Sequence, residues 1–196
     1  MRIYSTAMLA AAGSLLLAGC TQSKPAEENS ADKAPAPAAA VDHNDPVASA
    51  MAAAPTAIAS EATIVQAAAD GSMKTLRAGS NGWTCMPDNP KTPGHDPMCM
   101  DANAMKWAEA WMTKKVPPAD NVGLMYMLAG GSDASNMDPY GEKPANGKWV
   151  ETGPHVMIVG SESLNKIYPA TATPDTKKPY VMFGGTPYAH MMIPID

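Results

Sequence analysis

Aromatic residues and positive charge are scarce in this 196-residue chain. It has one phenylalanine, and its 14 lysines and arginines are outnumbered by 19 aspartates and glutamates. Proteins that bind nucleic acid carry clustered lysine and arginine, so the acidic balance argues against that class of partner. The chain has 16 methionines instead. Methionine is an adaptable core residue, and we expect it to take over much of the packing that phenylalanine usually provides.

Common signatures of metal, haem and hydrolase sites are also missing. The sequence contains no H-E-x-x-H, C-x-x-C, C-x-x-C-H or G-x-S-x-G spacing. It has no recognisable internal repeat, and no apolar run approaches the roughly 20 residues that a membrane-spanning helix needs. Zinc proteases, c-type haem proteins, solenoids and polytopic membrane proteins are therefore not supported by any pattern.

The N-terminus reads MRIYSTAMLAAAGSLLLAGC. One basic residue, Arg2, precedes an apolar run from Ala7 to Ala18, which is the order of charge and hydropathy in a secretory signal. The run ends in Leu17-Ala18-Gly19-Cys20. This end of the segment resembles the lipobox of bacterial lipoproteins, and the resemblance covers the first twenty residues.

The resemblance implies that residues 1–19 form a cleaved signal peptide and that Cys20 becomes the lipidated first residue. Two or three acyl chains would anchor the protein to a membrane, because each buried methylene contributes about 0.8 kcal/mol. Thr21 stands where an aspartate would favour retention at the inner membrane. The expected location is therefore the bacterial cell envelope, on the periplasmic face of the outer membrane.

The remaining chain divides by composition into a tether and a single domain. Residues 20–57 are rich in Ala, Pro, Asp, Glu and Ser and have no aromatic residue. Such a segment buries too little apolar surface to fold alone, so we interpret it as a disordered tether, with a short Ala-rich helix compatible with residues 47–53. Residues 58–196 hold every tryptophan and thirteen of the methionines, and this length suits one globular domain.

Strand and helix signals in residues 58–196 predict an α+β fold. Asp101 is a good N-cap for one principal helix that the apolar spacing extends to Lys115. The apolar segment Val122–Ala129 predicts a central strand, and the remaining short strands are separated by Gly-, Pro- and Asn-rich loops. We expect a mainly antiparallel sheet of about six to eight strands, with the helix packed on it and a high proportion of ordered loop.

Cys85 and Cys99 are separated by thirteen residues that include His95 and four prolines. A lipoprotein folds outside the cytoplasm, where thiols are oxidised. Because Cys20 is consumed by lipid, the remaining two cysteines make an even pair, and we predict a disulfide between them. The alternative is that these cysteines belong to a soft-metal site.

Histidine and methionine recur together elsewhere, which suggests copper as a cofactor. Thioethers and imidazoles both bind copper. Residues i and i+2 of a strand share a face, so His155 would project beside Met157 and His190 beside Met192. These four residues and His95 are the candidate metal ligands, provided that the two strands are neighbours. The competing interpretation is that these methionines only fill the core.

Ligand-binding residues are expected where polar loops follow strands. A Gly-rich segment after the central strand contains Ser132 and Asp133, and Gly/Pro turns flank His155 and His190. Together with Tyr188 they predict a pocket for a small molecule. Our primary hypothesis is a non-catalytic envelope domain that binds a small molecule or a protein partner. The alternatives are a copper-handling lipoprotein and an envelope hydrolase that uses His155 or His190 as acid and base.

Overall fold

The computed structural model describes residues 45–68 and 72–195. The predicted signal peptide, Cys20 and the first part of the tether lie outside the described residues. The elements in chain order are α1 (Pro46–Met51), α2 (Thr56–Ala59), β1 (Thr63–Ala67), β2 (Met73–Arg77), β3 (Thr84–Met86), β4 (Met98–Met100), α3 (Ala102–Met112), β5 (Gly123–Met127), β6 (Gly131–Asp133), β7 (Val150–Thr152), β8 (His155–Val159), β9 (Tyr180–Met182) and β10 (His190–Pro194). A single turn of 3₁₀ helix covers Leu164–Lys166.

Eight strands form one sheet in the order β2-β1-β3-β4-β5-β8-β10-β9, while β6 and β7 make a separate two-stranded ribbon. Neighbouring strands of the large sheet are antiparallel except for β1 and β3, which are parallel. The predicted α+β class, with a mainly antiparallel sheet and one principal helix, is confirmed. The central strand is β5, as its continuous apolar sequence indicated.

The Cys85–Cys99 disulfide is present. The two cysteines face each other directly in the register of β3 and β4. Both are fully buried. The bridge therefore staples adjacent strands and closes the proline-rich connection between them, and these two cysteines do not act as metal ligands.

The sheet separates two apolar clusters because its strands alternate in side-chain direction. On β5, Met125 and Met127 belong to the cluster under α3, while Tyr126 packs in the cluster on the opposite face. Helix α3 starts in close contact with β5, since a Cβ on Gly123 would lie 2.3 Å from the backbone nitrogen of Ala104. Glycine at this position lets the helix dock directly on the central strand.

Residues 45–57, assigned above to the tether, are part of the fold. Asp45 caps α1 by accepting a hydrogen bond from the Val47 amide. Ala50 and Ala53 are fully buried against the disulfide face of the sheet, and the Ala53 carbonyl accepts from the Leu128 amide. The expected boundary at residue 58 is corrected, because alanine side chains are small enough to let a helix approach a sheet closely without any aromatic anchor.

Helix α3 is shorter than its apolar spacing predicted, ending at Met112 and not at Lys115. Lys114 has a φ of 55°, and the Lys115 amide donates back to the Ala110 carbonyl. This left-handed residue followed by a six-to-one hydrogen bond is a Schellman-type helix end. The lysines therefore follow the helix and form its cap.

Candidate functional site

Four methionines form a continuous row across the face of the sheet that α3 covers. Met100 of β4 is paired with Met125 of β5, Met125 with Met157 of β8, and Met157 with Met192 of β10. All four are nearly fully buried. We call this row the methionine ladder. Side chains directly opposite one another on neighbouring strands have Cβ atoms about 4.5–5.5 Å apart, so the thioethers of the ladder form one flexible apolar floor.

A cavity of about 610 Å³ lies above this floor. One side is the methionine ladder, and the other is α3, which contributes Trp107, Ala108, Trp111 and Met112. The apolar lining is completed by four more methionines: Met86, Met98, Met127 and Met182. The volume is within the roughly 300–1,000 Å³ that small-molecule sites occupy.

His190 lines the cavity at its aromatic end. The residue is 2% exposed, and its ring makes edge contacts with Trp107 and Phe183 at centroid distances of 5.1 and 5.3 Å. Its Nδ1 lies 2.9 Å from the Tyr188 carbonyl oxygen. A carbonyl only accepts, so Nδ1 carries the proton and Nε2 keeps a lone pair. Burial lowers the pKa of His190 to about 4, which keeps the ring neutral at neutral pH.

His155 does not line the cavity, although it is equally buried. Its Nδ1 donates to the Gly153 carbonyl over 2.7 Å, and Nε2 has no hydrogen-bond partner among the described residues. Burial lowers the pKa of His155. His155 pairs with Met127 and Pro194, whereas His190 pairs with Met182. The two histidines therefore lie at opposite ends of the β8–β10 pair, and only Met157 and Met192 of the predicted ligands face each other.

An acidic edge, made of Asp88, Asp96 and Asp133, lines the opposite part of the cavity. The Asp96 carboxylate accepts from the Asn89 amide at 2.9 Å and from the Thr92 hydroxyl at 2.6 Å. The Asp88 carboxylate accepts from the Asp96 amide at 2.7 Å. The Asp133 carboxyl has no hydrogen bond or ion pair with any residue in 45–68 or 72–195. Its pKa is raised to about 7 by burial and by the negative charge of Asp96.

The proline-rich connection between β3 and β4 is fixed to β6 by Ser132. The Ser132 hydroxyl oxygen accepts from the Gly94 amide at 2.9 Å. Sequence patterns assigned Ser132 and Asp133 to a polar loop, but they belong to β6 and pair with β7. Their strand conformation comes from that pairing, since Gly-Ser-Asp has little strand propensity of its own.

Three of the five predicted pocket residues, namely Ser132, Asp133 and His190, line one cavity. Tyr188 packs in the core, where its hydroxyl donates to the Lys115 carbonyl over 3.0 Å, and it does not line the cavity. His95, a predicted copper ligand, is also outside the lining. Its side chain is 51% exposed and its Nδ1 lies 3.3 Å from the Asp88 carboxylate.

The methionine ladder was not foreseen as a unit. Its members come from four strands, and the row exists only once their pairing and register are known. The short-range signal that was available, Met beside His at i and i+2, found Met157 and Met192 but neither Met100 nor Met125.

No family model, curated protein or solved structure matches this chain. Within residues 45–68 and 72–195, no three His, Cys, Asp or Glu side chains are grouped as a metal site. None of the helices in those ranges is long and apolar enough to cross a bilayer.

Proposed function

We propose that the protein is a lipid-anchored envelope protein that binds a small apolar molecule in the methionine-floored cavity and catalyses no reaction. The cavity is the single observation that carries this proposal. Small-molecule sites are concave, mostly apolar and of about this size, and the cavity of about 610 Å³ has these properties. Its flexible thioether lining suits ligands of varied shape.

The hydrogen bonds of the two histidines favour binding over hydrolysis. General acid–base catalysis needs an imidazole within hydrogen-bond reach of a nucleophile or of the proton to be moved. In the described ranges, the ring nitrogens of His155 and His190 bond only to the backbone carbonyls of Gly153 and Tyr188. The hydrolase alternative therefore has no supporting geometry.

Export to the envelope is supported by two independent features. The lipobox-like segment ending at Cys20 supplies the anchor in this proposal. The Cys85–Cys99 disulfide suits an oxidising compartment. A direct test is the intact mass of the protein from a bacterial membrane fraction, where we expect residues 1–19 to be missing and acyl chains to be present. An unmodified Cys20 in that fraction would contradict lipid anchoring.

Filling the cavity from α3 is expected to abolish binding. Ala108 is buried and lines the cavity, so in Ala108→Leu the added atoms occupy ligand space without a new void. We expect 1-octanol, a neutral apolar probe, to bind the wild-type protein in isothermal titration calorimetry and to bind this variant about tenfold more weakly or not at all.

The matched control is Ala102→Leu, which adds the same side chain at an exposed position of the same helix. It is expected to bind 1-octanol like the wild type. Equal binding by Ala108→Leu and the wild type, with both folded by circular dichroism, would show that the cavity is not the binding site.

A second candidate function is Cu(I) binding, which is favoured by the positions of one histidine and two methionines in the cavity. The Nε2 lone pair of His190 and the ladder thioethers of Met157 and Met192 border the same cavity. Soft thioethers together with imidazole are suitable ligands for Cu(I). In this proposal His190 supplies the nitrogen ligand and the ladder supplies sulfur.

We expect one equivalent of Cu(I) to be retained against a competing chelator, and Met157→Leu with Met192→Leu to abolish retention. These replacements conserve volume and apolar character, so 1-octanol binding should survive them. His95→Ala is the matched control, because that exposed histidine lies outside the lining. Copper retained equally by all of these proteins would exclude the ladder as its site.

A further inference from the structure

We propose that the natural ligand is an amphiphilic cation, with an apolar body on the methionine ladder and an ammonium group that pairs with Asp133. This inference rests on the proposed small-molecule binding and names the chemical class of the ligand. Three observations carry it: an unpartnered carboxyl in the lining, the separation of polar and aromatic ends, and the shortage of positive charge around the cavity.

Asp133 differs from the other carboxylates of the acidic edge in having no hydrogen-bond or ion-pair partner within residues 45–68 and 72–195. Asp96 is satisfied by Asn89 and Thr92, and Asp88 by the Asp96 amide and His95. Asp133 is half-buried in the lining of a mostly apolar cavity, where a carboxylate without a compensating partner is unfavourable. A ligand ammonium would supply both the missing charge and the missing hydrogen-bond donors, and such charge-assisted bonds are about twice as strong as neutral ones.

The acidic and aromatic parts of the cavity lie towards opposite ends of the strands. Asp133 lies on β6, two residues beyond Gly131, and a Cβ on Gly131 would touch the end of the Met127 side chain. His190 and Met182 are at the opposite end of the same sheet face, with the ladder between the two ends. An elongated ligand would thus place its head at Asp133 and its tail against Trp107 and His190, whose rings contact each other.

The charged groups around the head position favour a cation. Lys91 is the one basic residue of the lining, and it is exposed and makes no ion pair with Asp133 in the described ranges. At the tail, the neutral His190 ring offers a lone pair at Nε2 and its single proton is already used. Among the described lining residues, a ligand carboxylate or phosphate would find no buried cationic donor, whereas an amine finds acceptors.

A competing chemistry is a neutral ligand whose oxygen accepts a proton from Asp133 in its acid form. The two chemistries differ in the sign of their pH dependence. Asp96 and Tyr180 interact electrostatically with Asp133. Asp88 and Lys91 line the same cavity, and His95 contacts Asp88. Removing the Asp133 carboxyl by substitution separates its titration from theirs.

The experiment compares octylamine, 1-octanol and octanoate, which share one chain length and differ in head charge, by calorimetric titration of the full chain. At pH 8 we expect octylamine to bind about tenfold or more tightly than 1-octanol, and octanoate to bind most weakly. The preference for octylamine over 1-octanol should grow from pH 5.5 to pH 8, as Asp133 loses its proton while the amine keeps its own.

Asp133→Asn is expected to reduce the affinity for octylamine to about that of 1-octanol and to remove the pH dependence of the preference. Glu151→Gln is the matched control, since Glu151 is exposed on β7 opposite Ser132 and outside the lining. It removes one nearby negative charge and should change little.

The outcomes separate the two proposals. Equal binding of octylamine and 1-octanol, or an octylamine preference unchanged in Asp133→Asn, would overturn the cation inference while small-molecule binding stands. Tightest binding of octanoate, or an octylamine preference that weakens with rising pH, would overturn it as well. Failure of all three probes to bind would contradict the small-molecule function itself.

Discussion

Replacing Asp133 with asparagine is expected to stabilise the protein at pH 8 by about 3 kcal/mol. Because burial raises the pKa of Asp133 to about 7, the folded protein holds a proton that the unfolded chain, with an ordinary aspartate, releases at about pH 4. Ionising the folded-state carboxyl therefore costs stability as the pH rises from about 4 to 7. Asparagine keeps the shape of the side chain and cannot ionise.

The gain should depend on pH with a defined sign. It is expected to be largest above pH 7 and to fall within about 1 kcal/mol of zero at pH 4, where aspartate is protonated in both states. Urea unfolding of the two proteins at pH 4, 6 and 8 measures the difference directly. Equal stabilities at pH 8, or a variant less stable than the wild type there, would contradict a buried and unpaired carboxyl.

His190 acts in the opposite direction and is common to both proteins. Its pKa is lowered to about 4 by burial, so the unfolded chain takes up a proton near pH 6.5 that the folded protein refuses. Stability from this residue is present above that pH and is lost as the pH falls towards 4. In the wild type Asp133 offsets this loss, and Asp133→Asn should therefore be the more acid-sensitive protein.

Functional sites often lose stability in exchange for activity or binding, and a carboxyl that destabilises the fold but improves ligand binding fits this trade-off. Asp133→Asn should gain stability and lose affinity for octylamine together. A gain in stability without a loss of octylamine affinity would contradict the role of Asp133 in ligand binding. A loss of affinity without a gain in stability would contradict its unfavourable ionisation in the folded protein.

Removing the disulfide is the second change with a large expected effect. The double substitution Cys85→Ala and Cys99→Ala should lower the free energy of unfolding by about 3 kcal/mol, the entropic value for a loop of about 15 residues. The cysteines are 14 positions apart in sequence and fully buried. Losing their sulfur atoms also removes contacts with Ala50 and Ala53 of α1.

Urea unfolding of the double variant is compared with the wild type in the presence and absence of a reductant. Reductant should destabilise the wild type by a similar amount and leave the variant unchanged. A wild type that is insensitive to reductant under unfolding conditions, together with a variant of normal stability, would show that the bridge does not contribute to the fold.

The sheet could be predicted in large part because its strands are apolar runs bounded by turn residues, which a local sequence pattern shows. The strand expected to carry His155 and Met157 is present as β8, because a short apolar run between a Gly-Pro turn and a glycine has few alternatives. The disulfide was predicted from the expected oxidising compartment and from the even number of cysteines that remain after Cys20. The strand prediction uses a few neighbouring residues, whereas the disulfide prediction uses the N-terminal segment and the number of cysteines.

What local patterns could not provide is the pairing of strands that are distant in sequence. The ladder depends on Met100 and Met192 lying in one row although 92 positions separate them, and no short-range signal encodes such a row. A short helix near residues 47–53 was expected, but its packing on the sheet was missed for a different reason. Its alanines looked like a tether by composition, yet they fit the sheet because they are small.

Locating a bound probe tests the central claim most directly, which is that the methionine-floored cavity holds a small apolar molecule. The measurement is a crystal structure of the protein soaked with 8-bromooctan-1-ol, in which anomalous scattering shows the position of the bromine. The account predicts one ordered bromine between the ladder methionine Met157 and Trp107 of α3. Bromine found only on the surface, with the cavity occupied by ordered water or closed by its own side chains, would contradict it.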